Sequence, residues 1–318
     1  MTLPMHKAIL DIGSNSFHFV VYEITGDNSF KTIFRKRIVY RLALQKQNGK
    51  SFLSDEDFAQ TVKIISGFKE IVSQYSCTIT ATATSAVREA SNKDEYLGHI
   101  QKTTGVLIEL LSGENEASLI YKAVAYNYKE AVSKNILCLD IGGGSTECIL
   151  GNNGKILFVE SMKLGAVRLA AQFFPDDELD QDKIEACSGF INQVIEPVIE
   201  KLVTVKIDFA TGNSGTIYAV KALALANHSV FNLECQEKKI LTREELNKTV
   251  NLLLSNKTIE ERKIIPGIEP DRADILPAGA LILQTIFSTL NLSELYLSDY
   301  SLREGKLLEV LEGNESLS

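Results

Sequence analysis

The sequence predicts an α/β protein whose architecture is built twice. The stretch AILDIGSNSFHFVV at residues 8–21 is an apolar run that breaks at an acid, a glycine and hydroxyls, then turns apolar again. LCLDIGGGSTECIL at residues 137–150 does nearly the same. After each copy comes one further strand-like run, completing three, and then segments of helical and strand period alternate, as they do where helices cover a sheet. At 318 residues the chain is long for one core, which favours two domains.

Between residues 6 and 42, KAILDIG, SFHFVVYEI and SFKTIFRKRIVYRL read as three strands. A helix follows from Ser54 to about Tyr75, where Phe58, Val62, Ile65 and Val72 recur at helical spacing. Next come a strand (CTITATA), a helix near 91–103, a strand (GVLIELL) and a helix from about Glu114 to Tyr128. The second copy opens with KNILCLDIG, STECILGNNG and KILFVESMKL, with Asn152, Asn153 and Gly154 as a hairpin turn. A long helix from about Leu179 to Leu202 leads to a strand (KIDFATG) and a helix beginning in NSGTIYAV. Thr242 and Glu245 form a capping box for a helix through Leu254. Helical segments over 270–290, a strand (ELYLS) and a last helix at 302–311 complete the chain. The expected division is 1–132, 133–300, and a C-terminal helix at 301–318 that can pack back on the first domain. The boundary near Glu130–Lys134 is short, which predicts two domains hinged around a shared cleft.

Composition excludes several classes. An apolar share of 45% and a charged share of 23% are ordinary for a globular protein, and a net charge of −8 argues against general nucleic-acid binding. Only three apolar residues separate Lys7 from Asp11, too few for a signal peptide, and no run approaches the length of a membrane span. The expected location is the cytoplasm. The cysteines at 77, 138, 148, 187 and 235 show no C-x-x-C pairing, which fits a reducing compartment. With four histidines and no clustered Cys/His ligands, any metal is expected to be held by oxygen. FRKRIVYR at 34–41 is the densest basic stretch. It reads first as a charged strand protecting a sheet edge and second as a path for an anionic ligand.

The repeated turn suits phosphate chemistry. Gly13 with Ser14, Asn15 and Ser16, and Gly142, Gly143 and Gly144 with Ser145 and Thr146, offer close backbone approach and hydroxyl donors. Asp11 and Asp140, at the preceding strand ends, can hold Mg²⁺ directly or through water. One such turn occurs in many hairpins. Two, opening two similar halves, imply phosphate-gripping loops on both walls of a cleft. In TGNSGT, Gly212, Ser214, Gly215 and Thr216 could simply cap an ordinary helix start, but beside the other two turns they are expected to place amides against another phosphate. Glu114 needs no explanation beyond the helix dipole. Glu116 is the candidate base, Glu147 can position a water or support the metal, and Arg88 can clamp a phosphate bidentately.

DIGSNSFHFVV, ATSAVREA, SGENEA, DIGGGSTE, GNSGT, PG with RADILPAG, and SDYSLREG occur in an order that resembles the exopolyphosphatase/guanosine pentaphosphate phosphohydrolase (Ppx/GppA) family, over about residues 6–312. The resemblance implies two ribonuclease-H-like domains of the actin, sugar kinase and chaperone ATPase superfamily. It also implies that Glu116 is the catalytic base, that Arg88 contacts the terminal phosphates, and that the two Asp-Gly stretches, with Glu147 in the second, are phosphate loops. Tyr300 and Asn213 depart from the family pattern, outside the implied chemistry. Longer relatives carry a C-terminal helical region with an HD-like domain. The short form expected here puts strong processivity on long polymers in doubt.

The expected function is Mg²⁺-dependent hydrolysis of the terminal phosphoanhydride of inorganic polyphosphate, releasing orthophosphate. The close alternative substrate is guanosine pentaphosphate. More distant alternatives are an ATP-dependent small-molecule kinase, for which no acceptor pocket is identified, and a non-catalytic nucleotide-binding protein. The carboxylates Asp11, Glu116, Asp140 and Glu147 count against the last of these. The partner is the phosphorylated substrate, with neither nucleic acid nor membrane, and a homodimer stays open.

Overall fold

The computed structural model describes residues 4–26, 29–42, 45–47, 50–131, 133–231, 233 and 238–315. Cys235 lies outside them. The chain divides into two compact units, residues 1–123 with 302–318 and residues 124–301.

In the first unit, β1 (Met5–Ile12), β2 (Ser16–Gly26) and β3 (Ser29–Val39) form an antiparallel meander. A small hairpin, β4 (Gln45–Gln47) and β5 (Lys50–Phe52), leads to α1 (Asp55–Ser73), β6 (Ile79–Ala83), the single turn α2 (Ser85–Arg88), α3 (Lys93–Thr104), β7 (Ile108–Leu110) and α4 (Gly113–Asn127). β6 runs parallel to β1, and β7 parallel to β6, giving the sheet order β3-β2-β1-β6-β7. The meander's alternation gives each sheet face its own cover. Leu10, Ile12, Phe17, Phe19 and Val21 point to a core with Ile65 and Phe68 of α1 and Ile100 of α3. Phe19 stacks on Phe68 with centroids 4.4 Å apart. Each such buried side chain contributes about 1.5–3 kcal/mol. Ser54 and Asp57 close a reciprocal capping box at the start of α1.

The second unit repeats the order. β8 (Ile136–Ile141), β9 (Thr146–Asn152) and β10 (Lys155–Met162) are an antiparallel meander. Its β9–β10 turn holds Asn153 and Gly154 at φ 51° and 73°, the left-handed pair that a two-residue hairpin needs. Then follow α5 (Ala166–Phe173), α6 (Gln181–Leu202), β11 (Phe209–Gly212), α7 (Gly215–Ala226), β12 (Ile240–Thr242), α8 (Arg243–Ser255), α9 (Ile259–Lys263), α10 (Leu276–Thr289) and β13 (Glu294–Leu297). β11 is parallel to β8 and β13 to β11, with β12 an antiparallel edge strand, in the order β10-β9-β8-β11-β13-β12. The capping box of Thr242 and Glu245 is in place at α8.

The last described element, α11 (Leu302–Glu315), belongs to the first unit. Leu307 and Leu311 cover Ile9, Val20 and Tyr22 on the sheet face away from α1. A Cβ on Gly305 would run into the carbonyl oxygen of Leu119, so glycine is what lets α11 lie against α4. Both units therefore carry the ribonuclease-H-like arrangement, an antiparallel meander continued by parallel strands. No helix among the described residues is long and apolar enough to cross a membrane.

Candidate active site

The two Asp-Ile-Gly turns have one geometry. In the first, Gly13 N–H donates to Ser16 O at 3.1 Å; in the second, Gly142 N–H donates to Ser145 O at 2.9 Å. A Cβ on either glycine would stand 3.2 Å from that accepting oxygen, tighter than a side chain comfortably allows. The duplication seen in the sequence is thus a duplication of a backbone device.

Residues directly opposite on paired strands share a sheet face. In the second unit Asp140 stands opposite Glu147, and Glu147 opposite Ser161. Glu147 is 1% exposed, and Ser161 Oγ donates to its Oε1 at 2.7 Å. In the first unit Asp11 occupies the equivalent place, opposite His18, which in turn stands opposite Arg37. Ser16 Oγ and His18 Nε2 are 2.9 Å apart.

Asp11 is buried, and Arg303 Nη1 of α11 lies 3.6 Å from its Oδ2. Burial pushes the Asp11 carboxyl up to about 6; Arg303 opposes this and the neighbouring Glu304 adds to it. Glu304, 1% exposed, accepts from Tyr22 Oη at 2.5 Å. Burial first, and then the Glu304 charge, raise the Tyr22 phenol well above its ordinary value. Asn15 Oδ1 accepts from Arg41 Nε at 3.0 Å.

Arg88 and Glu116 come together from α2 and the first turn of α4. Arg88 Nη1 donates to Glu116 Oε2 at 2.9 Å and to Leu111 O at 2.8 Å. Glu116 is buried while Glu114, two residues earlier, is exposed. The same helical turn thus separates a sheltered carboxylate from a solvated one.

Several predicted phosphate ligands have other work. Thr146 lies fully buried on the core side of β9, and its hydroxyl donates to Leu164 O at 2.7 Å. Gly212 ends β11 where a Cβ would run into Ile217. Thr216 Oγ1 donates to Ile141 O at 2.9 Å, tying α7 to the end of β8, and Gly215 leaves room for the Arg272 guanidinium. Ser214 Oγ accepts from Ile217 N–H at 3.2 Å as an ordinary N-cap. The carbonyls of the glycine run are also engaged. Gly142 O accepts from Ala166 N–H, Gly143 O from Arg168 N–H, and Gly144 O from Arg168 Nε at 2.7 Å.

Sequence reasoning assigned no role to His18, Arg168, Arg303 or Glu304. Arg303 and Glu304 stood in the quoted SDYSLREG stretch, and charged residues just after a short strand were their only signal. The two departures from the family pattern meet: Asn213 Nδ2 donates to Tyr300 O at 3.0 Å, and the Tyr300 ring stacks on Tyr126 at 5.8 Å.

Asp11, Asp140 and Glu147 offer carboxylate oxygen alone, the donor set of a hard cation. Among the described residues no three His, Cys, Asp or Glu side chains gather closely enough to cage an ion. Mg²⁺ needs no cage, because it keeps waters and takes one or two carboxylates plus phosphate oxygens. The paired acids of β8 and β9 fit that demand.

A sequence model of the Ppx/GppA phosphatase family matches residues 20–314. The chain is 32% identical over 311 residues to a guanosine-5′-triphosphate,3′-diphosphate pyrophosphatase of Vibrio parahaemolyticus, covering 97% of this chain and 60% of that protein. It is 29% identical over 317 residues to a bifunctional 3-dehydroquinate synthase/phosphatase of Fusobacterium nucleatum, covering 96% of this chain and 46% of that one. It thus spans only about half of the length of these curated relatives, 46% to 60%. The crystal structure of an exopolyphosphatase from Cytophaga hutchinsonii superposes with a TM-score of 0.84 at 26% identity, over 97% of this chain and 98% of that one. A Ppx/GppA family member from Aquifex aeolicus superposes with a TM-score of 0.78 at 28% identity, over 98% and 99%.

Proposed function

The chain belongs to the Ppx/GppA phosphatase family, and on that premise we propose that it hydrolyses the terminal phosphoanhydride of inorganic polyphosphate, releasing orthophosphate. The observation that carries the reading is the pair of Asp-Ile-Gly turns, one in each unit, each closed by the same backbone hydrogen bond. Phosphoryl transfer is governed by positioning and by stabilisation of charge on the phosphate oxygens, which is what paired loops of backbone donors supply.

In this reading the amides and hydroxyls of residues 13–16 and 142–145 hold phosphate oxygens, and Arg88 clamps the terminal group. Glu116 orients the attacking water and takes its proton as the water oxygen bonds to phosphorus. The bond from phosphorus to the bridging oxygen breaks, and the shortened chain leaves with that oxygen and its electron pair. Asp140 and Glu147 would hold Mg²⁺, which when bound supplies positive charge to the phosphate oxygens. Glu116 begins this cycle paired with Arg88, so an arriving phosphate competes with Glu116 for the guanidinium. We place the protein in the cytoplasm, a reading supported by four free cysteines, Cys77, Cys138, Cys148 and Cys187, among the described residues.

A second substrate, guanosine pentaphosphate losing its terminal 5′ phosphate, is supported by the activity named for the Vibrio relative. Orthophosphate release from each substrate, compared by kcat/KM with Mg²⁺ and with a chelator, tests both. Release from polyphosphate at the higher kcat/KM supports the first reading, and the reverse order the second. No release from either with Mg²⁺ present would sink the phosphohydrolase proposal.

A further inference from the structure

We propose that the sheet face around Asp11 is an anion track, in which Arg37 and Arg41 take the phosphate groups next to the one being released. The inference rests on the phosphoanhydride reading above and adds how the rest of the substrate is recognised, as a run of phosphates gripped by guanidinium groups.

The argument starts from the duplication. The row that follows the second turn is Asp140, Glu147 and Ser161. The row that follows the first is Asp11, His18 and Arg37. The backbone devices match, but the side chains on the second and third strands differ in charge. Both rows begin with an aspartate; beyond it one presents a glutamate and a serine, suited with Asp140 to a cation, and the other a histidine and an arginine, which bring positive charge to the Asp11 row.

Strand alternation then sorts the basic stretch into two faces. Arg35 stands opposite Val20 and Arg37 opposite His18, on the face that carries Asp11. Arg35 Nη2 is 3.8 Å from Glu304 Oε1 on that face. Lys36, between them, stands opposite Phe19, whose side chain points into the other core. Past the end of β3, Arg41 returns to the first face and donates from Nε to Asn15 in the turn itself. Tyr40, beside it, belongs to the opposite face, where its hydroxyl bonds Asp57. Arg303 joins from α11 beside Asp11. The face thus gathers Arg35, Arg37, Arg41 and Arg303 against Asp11 and Glu304, in a chain of net charge −8.

Edge protection alone does not account for this arrangement. β3 is the edge strand, and charges on either face would discourage pairing equally well. The arginines share Asp11's face, while the lysine between them lies on the other. The planar guanidinium fork matches phosphate oxygens in a way that an ammonium does not.

The test uses the full chain carrying Glu116→Gln, so that ligand is not consumed, with tripolyphosphate binding followed by calorimetric titration. Arg37→Gln and Arg41→Gln should each weaken binding by about tenfold or more, the usual worth of a charged hydrogen bond. Lys36→Gln should change it by less than about twofold, since a solvated charge off the track contributes little. Arg37→Lys, which keeps the charge and the fold but loses the fork, should recover only part of the loss. If Lys36→Gln weakens binding as much as Arg37→Gln, or if neither arginine matters, the strand is only a charged edge and the track is wrong. Orthophosphate release by the unaltered protein is read separately. Turnover of polyphosphate with arginine-independent binding sinks the track alone, whereas arginine-dependent binding without any turnover sinks the hydrolysis reading alone.

Discussion

Arg88 Nη1 lies 2.9 Å from Glu116 Oε2, so the carboxylate read as the base carries its own counter-ion. The same guanidinium is held to Leu111 O, which fixes the pair between α2 and the start of α4. This local order gives the carboxylate a defined position.

Glu116→Gln should therefore lower kcat by about 10²–10⁴-fold, the usual worth of general base catalysis. The amide oxygen can still accept from Arg88, so unfolding free energy should fall by no more than about 1 kcal/mol. Glu114→Gln, at an exposed position on the same turn, should stay near the unaltered rate. Steady-state phosphate release from both variants checks this. Full activity in Glu116→Gln would move the base elsewhere, with Glu147 next.

The parts legible in the sequence were those with a strong local signal. Each Asp-Ile-Gly turn announced itself because an apolar strand, an acid and a glycine run are contiguous. Asn153 and Gly154 fixed their hairpin for the same reason. α2, α5, β12 and the β4–β5 hairpin went unread because three to eight residues carry too little periodicity. Asp11 meeting Arg303 was unreadable because almost the whole chain separates them. Arg262, in the run ERK, carried no signal in the sequence for its place in the core. It is fully buried, and its guanidinium donates to the carbonyls of Ala273, Asn256, Lys257 and Asp177. Thr146 was taken for a phosphate ligand because composition does not tell which side of a strand a residue faces, whereas the register opposite Ile141 does.

Asp11 should make stability depend on pH in a direction unusual for a carboxylate. Its folded value is raised to about 6 from an ordinary 3.8, chiefly by burial, so the folded state favours the protonated form. The contribution is fully present below about pH 4 and is lost as pH rises through 6, leaving a charged group that costs about 3 kcal/mol above pH 7. Asp11→Asn removes that cost. The variant should be more stable than the parent by up to about 3 kcal/mol at pH 7.5 and equal to it near pH 4. It should also lose metal-dependent turnover. Urea unfolding at the two pH values decides, and parallel stability profiles for the two proteins would remove Asp11 as the source.

Gly305→Ala and Gly98→Ala should act in opposite directions although both lie within helices. A Cβ at 305 would strike the Leu119 carbonyl, a backbone atom that cannot rotate aside, so overpacking should cost about 1–3 kcal/mol. Because α11 also carries Arg303 to Asp11, activity should fall with it. At 98, on the exposed side of α3, nothing lies within 4 Å of a Cβ. Alanine there should add about 1 kcal/mol through helix propensity. Denaturant midpoints at constant slope read both effects, and a neutral Gly305→Ala would show that α11 does not need this approach.

The paired acids of β8 and β9 should set the metal requirement. Asp140 and Glu147 face each other across the strands, and Ser161 Oγ holds Glu147 Oε1 at 2.7 Å. Asp140→Asn and Glu147→Gln each remove a charged oxygen donor, so the Mg²⁺ concentration for half-maximal turnover should rise by about tenfold or more. Ser161→Ala leaves both carboxylates but frees Glu147 to turn, which should shift the same midpoint less and in the same direction. Turnover should vanish with chelator in the parent and return on adding Mg²⁺. Both substitutions keep the side-chain shape and an oxygen acceptor, so the fold should change less than the metal requirement. A Mg²⁺ titration of phosphate release with a thermal melt of each variant separates the two effects. If Asp140→Asn and Glu147→Gln keep the parent's midpoint, the ion is held elsewhere, and Asp11 is the carboxylate left to hold it.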